Sequence, residues 1–213
     1  MSKPELILIG AGGHALSCID VIERQGKFQV AGIIGLSRQE GSHALTCGYS
    51  IIGFDEDLTS LAKNYQYALI AIGQIKSANQ RIKLYQRIIE LGFQLPTIVA
   101  PTAHVSYHAT LGSGTIIMHG AVVNAGAVVG NNCIVNSLAL IEHDVIVEDH
   151  CHISTGAILN GGVLVGTGSF IGSGSIVKQG ISIGKGSMIG MGVPVLHNLP
   201  ENTNFIGHHR HEK

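Results

Sequence analysis

An aliphatic side chain occupies every sixth position from Val105 to Val195, and this period constrains the fold more than any other feature of the sequence. The residues two positions earlier are mostly small. Neither a helix nor a lone strand has a period of six. A β-coil with three short flat faces does, because each hexapeptide forms one face and one corner. The aliphatic side chains are therefore expected to fill the coil, and glycines that directly follow several of them are expected to ease its tight turns. The aliphatic positions are Val105, Leu111, Ile117, Val123, Val129, Val135, Ile141, Val147, Ile153, Leu159, Val165, Ile171, Val177, Ile183, Ile189 and Val195, and the glycines are Gly112, Gly130, Gly166, Gly172, Gly184 and Gly190.

The repeat predicts the placement of two cysteines. Cys133 and Cys151 are eighteen residues apart, which is one full turn of a three-sided coil, so they are expected to stack in adjacent turns as buried residues. The four cysteines have no metal-ligand spacing. The sequence shows no signal peptide, so we expect free thiols in a reducing cytoplasm.

Apolar residues also recur on the outer side of the coil, one position before inward aliphatic residues. An isolated coil would expose them as a contiguous apolar patch, and such patches usually mark an interface. The sequence therefore predicts a homotrimer. The outer residues behind this prediction are Ile116, Val122, Val128, Ile134, Leu140 and Ile146.

The first hundred residues have a different pattern, in which short aliphatic strands alternate with amphipathic helices. This alternation is typical of a parallel α/β sheet and predicts a Rossmann-like domain over residues 1–98, a β-helix domain over 99–199 and a tail over 200–213. The predicted strands are Glu5–Ile9, Gln29–Ile34, Tyr49–Ile52, Tyr67–Ile72 and Thr97–Val99, and the predicted helices are Ala15–Gln25, Glu56–Asn64 and Ser77–Leu91.

A glycine-rich turn joins the first strand to the first helix. Gly10, Gly12, Gly13 and His14 lie where backbone N–H groups and a helix N-terminus can hold a phosphate. A dinucleotide site would also place an acid after the second strand, and residues 33–37 contain none. A mononucleotide or nucleotide-sugar site is favoured, with Gly73 lining the same crevice; the alternative is a turn that serves only strand–helix packing.

Charge and composition exclude other functions. A formal net charge of −1 gives no electrostatic case for nucleic acid or a membrane surface, and the apolar runs are shorter than a membrane span. No two histidines of the coil have the five-residue spacing of a zinc pair. The histidines of the tail (His208, His209 and His211) are interpreted as part of a loose terminus, so no metal is expected.

Polar residues interrupt the coil near its middle. Since Ile141 points inward, Glu142, His143 and Asp144 reach the outer corner. A histidine beside a carboxylate has the near-neutral pKa and the oriented ring that a general base needs. His152 breaks the apolar pattern nine residues later. A solvated corner histidine remains the alternative for His143, and a partly buried residue at a subunit contact remains the alternative for His152.

Three stretches together resemble a known family: Leu6–His14, Ala68–Gly73 and Asn136–Asp144. They resemble the sugar acetyltransferases of the sialic acid O-acetyltransferase type, particularly the bacterial nucleotide-4-amino-sugar N-acetyltransferases of bacillosamine and legionaminic acid synthesis. The resemblance implies a left-handed β-helix, acetyl-CoA as co-substrate, and a trimer with active sites at the seams between subunits.

The resemblance also implies residue roles. His143 matches the general base, Asp144 the acid that orients it, and Asn136 a polar residue beside the base. His152 matches a histidine near the acetyl group, and Gly161 a backbone contact to coenzyme A. His14 lies in the sugar-nucleotide loop. His152 or an N–H near Gly161 would then stabilise the oxyanion.

Three stretches depart from the family pattern. Residues 35–37 replace acids that touch the nucleotide, Ala100-Pro101 replaces a His-Pro pair, and residues 207–210 replace a Gly-x-Pro-Ala motif. The expected function is acetyl transfer to a nucleotide-activated 4-amino-4,6-dideoxy sugar in bacterial glycan biosynthesis. The alternatives are O-acetylation of sialic acid or a related sugar, and a non-catalytic trimeric subunit that binds a sugar nucleotide.

Overall fold

The computed structural model describes residues 2–35 and 47–206. Leu36, Ser37, the histidines of the tail and the departure at residues 207–210 lie outside the described residues. The chain begins with a four-stranded parallel sheet in the order β3-β2-β1-β4. Its elements are β1 (Glu5–Ile9), α1 (Gly13–Gln25), β2 (Gln29–Gly35), β3 (Ile51–Phe54), a 3₁₀ turn (Asp55–Asp57), α2 (Leu58–Leu61), β4 (Tyr67–Ile70) and α3 (Asn79–Glu90).

Strand order positions the ligand crevice of this sheet. β1 lies between β2 and β4, so the chain reverses its direction of progress across the sheet at β1. In open α/β sheets, ligands bind outside the carboxyl ends of the strands at such a switch point. The loops after β1 and β4 meet there. Gly10 has φ +118, and a Cβ on it would lie 2.5 Å from Ile72 Cγ2, so the two loops pack closely only with glycine at this position.

Several predicted boundaries needed correction. The helix predicted over Glu56–Asn64 is a 3₁₀ turn and the four-residue α2, and β3 begins two residues later than expected. Thr97–Val99 was predicted to be the last strand of the α/β sheet, but the strand found there, Ile98–Val99, pairs with Ile116–Ile117 of the coil instead. The coil also continues past residue 199, because Asn204–Phe205 pairs with Met188–Ile189.

From residue 98 onward, two-residue strands form three parallel sheets, one for each face of the coil. Face 1 contains β5 (Ile98–Val99), β8 (Ile116–Ile117), β11 (Ile134–Val135), β14 (His152–Ile153), β17 (Phe170–Ile171), β20 (Met188–Ile189) and β22 (Asn204–Phe205). Face 2 contains β6 (His104–Val105), β9 (Val122–Val123), β12 (Leu140–Ile141), β15 (Ile158–Leu159), β18 (Ile176–Val177) and β21 (Pro194–Val195). Face 3 contains β7 (Thr110–Leu111), β10 (Val128–Val129), β13 (Ile146–Val147), β16 (Leu164–Val165) and β19 (Ser182–Ile183).

The interior of the coil follows the six-residue period. Nearly all of the aliphatic positions belong to one core, in which residues from all three faces contact each other. Ile134 pairs with His152, so the preceding Cys133 and Cys151 lie in adjacent turns, and both are buried free thiols as predicted. The predicted fold class, an α/β domain followed by a left-handed parallel β-helix, is confirmed.

The role expected for the glycines after the aliphatic residues was wrong. The left-handed backbone that turns most corners lies two residues further on, as at Gly174 with φ +65, and Asp144 occupies this position in one repeat with φ +59. Gly172 itself has no positive φ; instead, a Cβ on it would lie 2.5 Å from the carbonyl carbon of Gly190 in the next turn. Such glycines allow close approach of successive turns rather than unusual backbone angles.

The α/β domain covers part of face 1. Ile116 and Ile134 are buried in one core with α1, so they do not contribute to the open apolar patch that the sequence predicted. Val128 and Ile146 on face 3 are 41% and 43% exposed and remain available to another subunit. Within the described part of the chain, no helix has the length and apolarity needed to cross a membrane.

Candidate active site

A pocket of about 600 Å³ lies where the ligand crevice of the α/β sheet meets face 1 of the coil. The loops after β1 and β4 form one wall, and face 1 with its following corner forms the other. Its lining residues are His14, Gly73, Gln74, Ile75, Asn136, His152, Ser154, Phe170, Gly172, Ser173, Met188, Ile189, Gly190 and Met191.

The coil wall of the pocket comes from one ladder of outward side chains on face 1. Ile116 and Ile134 lie at its start and are covered by α1, and His152, Phe170 and Met188 follow on the next three strands. The ring of His152 packs edge-on against Phe170, with 5.2 Å between centroids. The ladder therefore changes from interdomain core to pocket wall at His152, and the pocket combines this apolar wall with polar groups of the facing loops.

His152 has a defined tautomer. Its Nδ1 lies 2.6 Å from the backbone oxygen of Gln74, which only accepts hydrogen bonds, so Nδ1 carries a hydrogen. Burial lowers the pKa of His152 to about 4, so the ring is neutral near pH 7. Its Nε2 is therefore an acceptor, and it lies 3.4 Å from Nδ2 of Asn136.

Gln74 joins the α/β domain to the coil. Its Nε2 donates to the backbone oxygens of His150 and Gly168, at 3.1 and 3.3 Å. These two bonds use both amide hydrogens and fix the orientation of the side chain. The backbone of Gln74 is thereby held where its carbonyl oxygen meets the ring of His152.

Arg81 on α3 holds the chain that leads to Gln74. Its buried guanidinium donates through Nη1 to the oxygen of Ile72 at 2.7 Å, and through Nη2 to Oδ1 of Asn132 on the coil at 2.6 Å. Further bonds reach the backbone oxygens of Ile70 and Asn132. Burial lowers the pKa of Arg81 to about 10, which still leaves it charged at neutral pH. This network fixes the loop after β4 against the coil.

Two polar atoms beside the pocket have no hydrogen-bond partner among the described residues: Nε2 of His14 and Oε1 of Gln74. Burial, with a smaller contribution from Arg81, lowers the pKa of His14 to about 3, so its ring is neutral. Buried polar atoms without partners are costly, by about 1–3 kcal/mol each. They suit a pocket that binds a polar ligand.

The glycine turn has two kinds of position. Gly10 is required by packing against Ile72, whereas a Cβ on Gly12 or Gly13 would meet nothing within 4 Å. Gly12 precedes the thirteen-residue α1, whose N-terminus favours an anion. Gly73 lies across the crevice, with its Cβ position 3.9 Å from Cβ of His14. The predicted nucleotide-binding residues thus meet at one edge of the sheet.

The second set of predicted residues lies at a different corner of the coil, between faces 2 and 3. Nδ1 of His143 is 2.9 Å from Oδ2 of Asp144, and the side chains are 60% and 73% exposed. The hydrogen bond to Asp144 raises the pKa of His143 above its usual value. Glu142 accepts hydrogen bonds from Asn124 and from the backbone N–H of His143, which steadies the corner.

Two glycines in neighbouring turns leave room for this pair. A Cβ on Gly161 would lie 2.6 Å from Nε2 of His143, and a Cβ on Gly126 would lie 2.5 Å from Oδ1 of Asp144. Gly161 is buried directly beside the imidazole, and its own φ is not positive. The surroundings of the His143 ring therefore depend on the absence of a side chain at residue 161.

Within one chain, the predicted site residues lie in two separate groups. Asn136 follows face 1 and contacts His152, whereas His143 follows face 2 and lies with Gly161 at the next corner. One chain thus carries two candidate half-sites, the pocket with Asn136 and His152, and the corner with His143 and Asp144. In the described part of the chain, no group of three potential ligands could hold a metal ion.

Sequence reasoning missed Gln74, Arg81, Phe170 and Met188. The period of six identifies Phe170 and Met188 as outward residues, which was a usable signal. No comparable signal marked Gln74 and Arg81. Their roles come from hydrogen bonds between the two domains, whose partner residues are 51 to 94 positions apart in sequence.

Two family models match parts of the chain. A family model for the PglD N-terminal domain matches residues 5–88, and a model for the hexapeptide repeat of succinyl-transferase matches residues 162–196. No curated protein sequence matches the chain.

Solved structures match almost the whole chain. A histidine-to-asparagine variant of perosamine N-acetyltransferase from Caulobacter crescentus, in complex with CoA and GDP-perosamine, is 30% identical with a TM-score of 0.86, over 94% of this chain and 92% of that chain. The acetyltransferase domain of PglB from Neisseria gonorrhoeae FA1090, in complex with acetyl coenzyme A, is 30% identical with a TM-score of 0.84, over 94% and 95%. WeeI from Acinetobacter baumannii AYE, at 20% identity and a TM-score of 0.80 over 92% and 94%, shares the fold.

The fold and the matching structures define the chain as a hexapeptide-repeat sugar acetyltransferase, an enzyme class that uses acetyl-CoA. Within that class, the chain belongs to the PglD-type family of bacterial sugar acetyltransferases. The family resemblance seen in the sequence is confirmed.

Proposed function

We propose that this enzyme transfers the acetyl group of acetyl-CoA to the amine of a nucleotide-activated 4-amino-4,6-dideoxy sugar in bacterial glycan biosynthesis. The observation that carries this proposal is the His143–Asp144 pair, whose contact is 2.9 Å through Nδ1. That contact leaves Nε2 of His143 free to accept a proton. The relatives bound to CoA with GDP-perosamine and to acetyl coenzyme A support the two substrates.

In the proposed reaction, the neutral amine attacks the thioester carbonyl carbon while Nε2 of His143 removes a proton from the nitrogen. The tetrahedral intermediate then collapses, the C–S bond breaks, and the proton passes from His143 to the departing thiolate. Asp144 stabilises the imidazolium that forms between these steps. A backbone N–H near Gly161 is our candidate for the oxyanion contact.

The nucleotide part of the sugar substrate belongs, in this proposal, at the glycine turn. Gly12 and Gly13 carry no side chain, so the backbone at the N-terminus of α1 faces open space. A diphosphate would be stabilised at this helix N-terminus. His14 and Gly73 flank the path from that turn into the pocket, and the sugar ring follows it towards the coil.

The two half-sites support a site shared between subunits. The corner with His143 and the pocket with His152 follow different faces of one coil, and the exposed Val128 and Ile146 offer a contact surface. We therefore propose a homotrimer in which His143 of one subunit faces the pocket of its neighbour. A cytoplasmic location fits the free thiols of the chain.

The test is a thiol-release assay with acetyl-CoA and UDP-, GDP- and dTDP-linked 4-amino sugars, run beside free sialic acid. Wild-type enzyme is expected to acetylate at least one amino sugar, and His143→Ala is expected to lower kcat about 10²–10⁴-fold while both substrates still bind. Acetylation of sialic acid alone would replace the proposal with O-acetylation. Tight sugar-nucleotide binding without turnover would favour the non-catalytic subunit.

A further inference from the structure

The tautomer of His152 limits what this residue can do. The hydrogen on Nδ1 is used by the carbonyl oxygen of Gln74, and the network through Gln74 and Arg81 keeps that oxygen in place. Nε2 then presents a lone pair and cannot donate to the carbonyl oxygen of an acetyl group. A role as oxyanion donor, expected from the sequence, does not fit this geometry.

The partner of Nε2 must therefore carry a hydrogen. Asn136 approaches it only at 3.4 Å, the long end of a hydrogen bond. His152 and Asn136 lie on the coil wall, opposite the loops that carry His14 and Gly73. In the proposed function, a sugar nucleotide held at the glycine turn extends its sugar towards this wall, so that the amine to be acetylated reaches the coil.

The charge of the pocket favours the neutral amine. None of the residues that line it within one chain is an aspartate or glutamate. The carboxylates that the proposed trimer brings close, Glu142 and Asp144 of the neighbouring subunit, already accept hydrogen bonds within their own chain. An ammonium group would therefore find no unpartnered carboxylate there. The nearby Arg81 is a buried cation, and His14 and His152 are neutral. A neutral amine donates through N–H and keeps the lone pair that attacks the thioester.

From these contacts we propose that Nε2 of His152 accepts a hydrogen bond from the sugar amine and orients its lone pair towards the acetyl carbon. His152 is then a substrate-positioning residue on the acceptor side of the reaction. This inference rests on the proposed function, because it assumes an amine acceptor. It assigns His152 to the sugar rather than to acetyl-CoA.

Binding measurements distinguish the two sides. Calorimetry would compare the nucleotide 4-amino-6-deoxy sugar that wild type prefers, its 4-keto analogue, whose oxygen only accepts hydrogen bonds, and acetyl-CoA. Wild type is expected to bind the amine roughly tenfold tighter than the ketone, the effect of about one hydrogen bond. His152→Phe keeps the packing against Phe170 and is expected to lose this preference with acetyl-CoA affinity unchanged. His152→Gln, which can donate to Gln74 and still accept, is expected to restore it.

A second measurement needs no substitution. ¹⁵N-histidine NMR of wild type is expected to show His152 protonated at Nδ1, with an Nε2 shift that moves on addition of the amino sugar and much less with the ketone. If His152→Phe weakens acetyl-CoA and keeps the amine preference, or if a folded His152→Gln loses that preference, the assignment is overturned. Failure of the proposed function has another signature, since wild type would then acetylate no amino sugar on the panel.

Discussion

Asp144 has both a backbone role in the turn of the coil and a side-chain role beside His143. Its backbone occupies the left-handed corner position with φ +59, which aspartate tolerates better than most residues, and its carboxylate contacts Nδ1 of His143. The turn of the coil and the orientation of the proposed base, His143, thus depend on the same residue. Asparagine tolerates this backbone equally well, so a substitution can remove the charge and keep the turn.

Asp144→Asn is therefore expected to change the pH dependence of turnover. The carboxylate raises the pKa of His143, and the base must be neutral to act, so wild-type activity falls as pH drops through that raised pKa. Without the carboxylate, the acidic limb of kcat/KM should move to lower pH while the plateau rate falls. A pH profile measures both effects. An acidic limb that stays in place would show that another group titrates.

Gly161→Ala tests the space beside the base. The backbone of residue 161 accepts alanine, but the new methyl carbon would lie 2.6 Å from Nε2 of His143 and displace the ring. We expect kcat to fall roughly 100-fold or more, because the base loses its position, with the thermal midpoint little changed. Gly162→Asn is the matched control, since its Cβ meets nothing and its left-handed position is occupied by Asn132 in another repeat. Equal losses in both variants would contradict the steric argument.

At the scale of elements, the sequence predicted the repeating positions of the coil correctly, but it did not predict the contacts between the α/β domain and the coil. The six-residue period determined the inward residues and the stacking of Cys133 on Cys151, because each repeat contacts only its neighbours. Adjacent residues such as His143 and Asp144 were also predictable. Seven residues of the coil include one corner and one face, so the six-residue period places Asn136 and His143 on different corners. We did not draw this conclusion from the sequence.

Arg81 illustrates why the contacts between the two domains could not be predicted from the sequence. On α3 it is one arginine among other polar residues, yet its guanidinium fixes the loop after β4 against the coil. Arg81→Met is expected to lower the free energy of unfolding by about 3 kcal/mol, because several buried carbonyl groups lose their donor. Denaturant unfolding measures this loss. Arg87→Met, on the exposed side of the same helix, should change it by less than about 0.5 kcal/mol.

At the scale of the whole molecule, one chain carries the two proposed half-sites on different corners. The pocket lies between the α/β domain and face 1, and His143 follows face 2. The α/β domain already covers Ile116 and Ile134, so the surface left for other subunits lies mainly on the remaining faces. In the cyclic trimer that we propose, the corner of each chain would lie at the pocket of the next, and every subunit would both donate and receive a half-site.

Mixed trimers test this arrangement. His143→Ala removes the base, and Gly73→Trp places a large side chain beside His14 in the pocket, so each variant alone is expected to be inactive. If sites form between subunits, trimers assembled from an equal mixture should recover about a quarter of wild-type activity. A site is active only when the chain that supplies its corner retains His143 and the chain that supplies its pocket retains Gly73. A mixture of wild type with a chain carrying both substitutions should give the same fraction.

If each chain instead acts alone, the first mixture stays inactive and the second keeps half of the activity, which would rule out a shared site. Light scattering on the same samples checks the trimer mass, and a monomer at micromolar concentration would exclude the assembly itself.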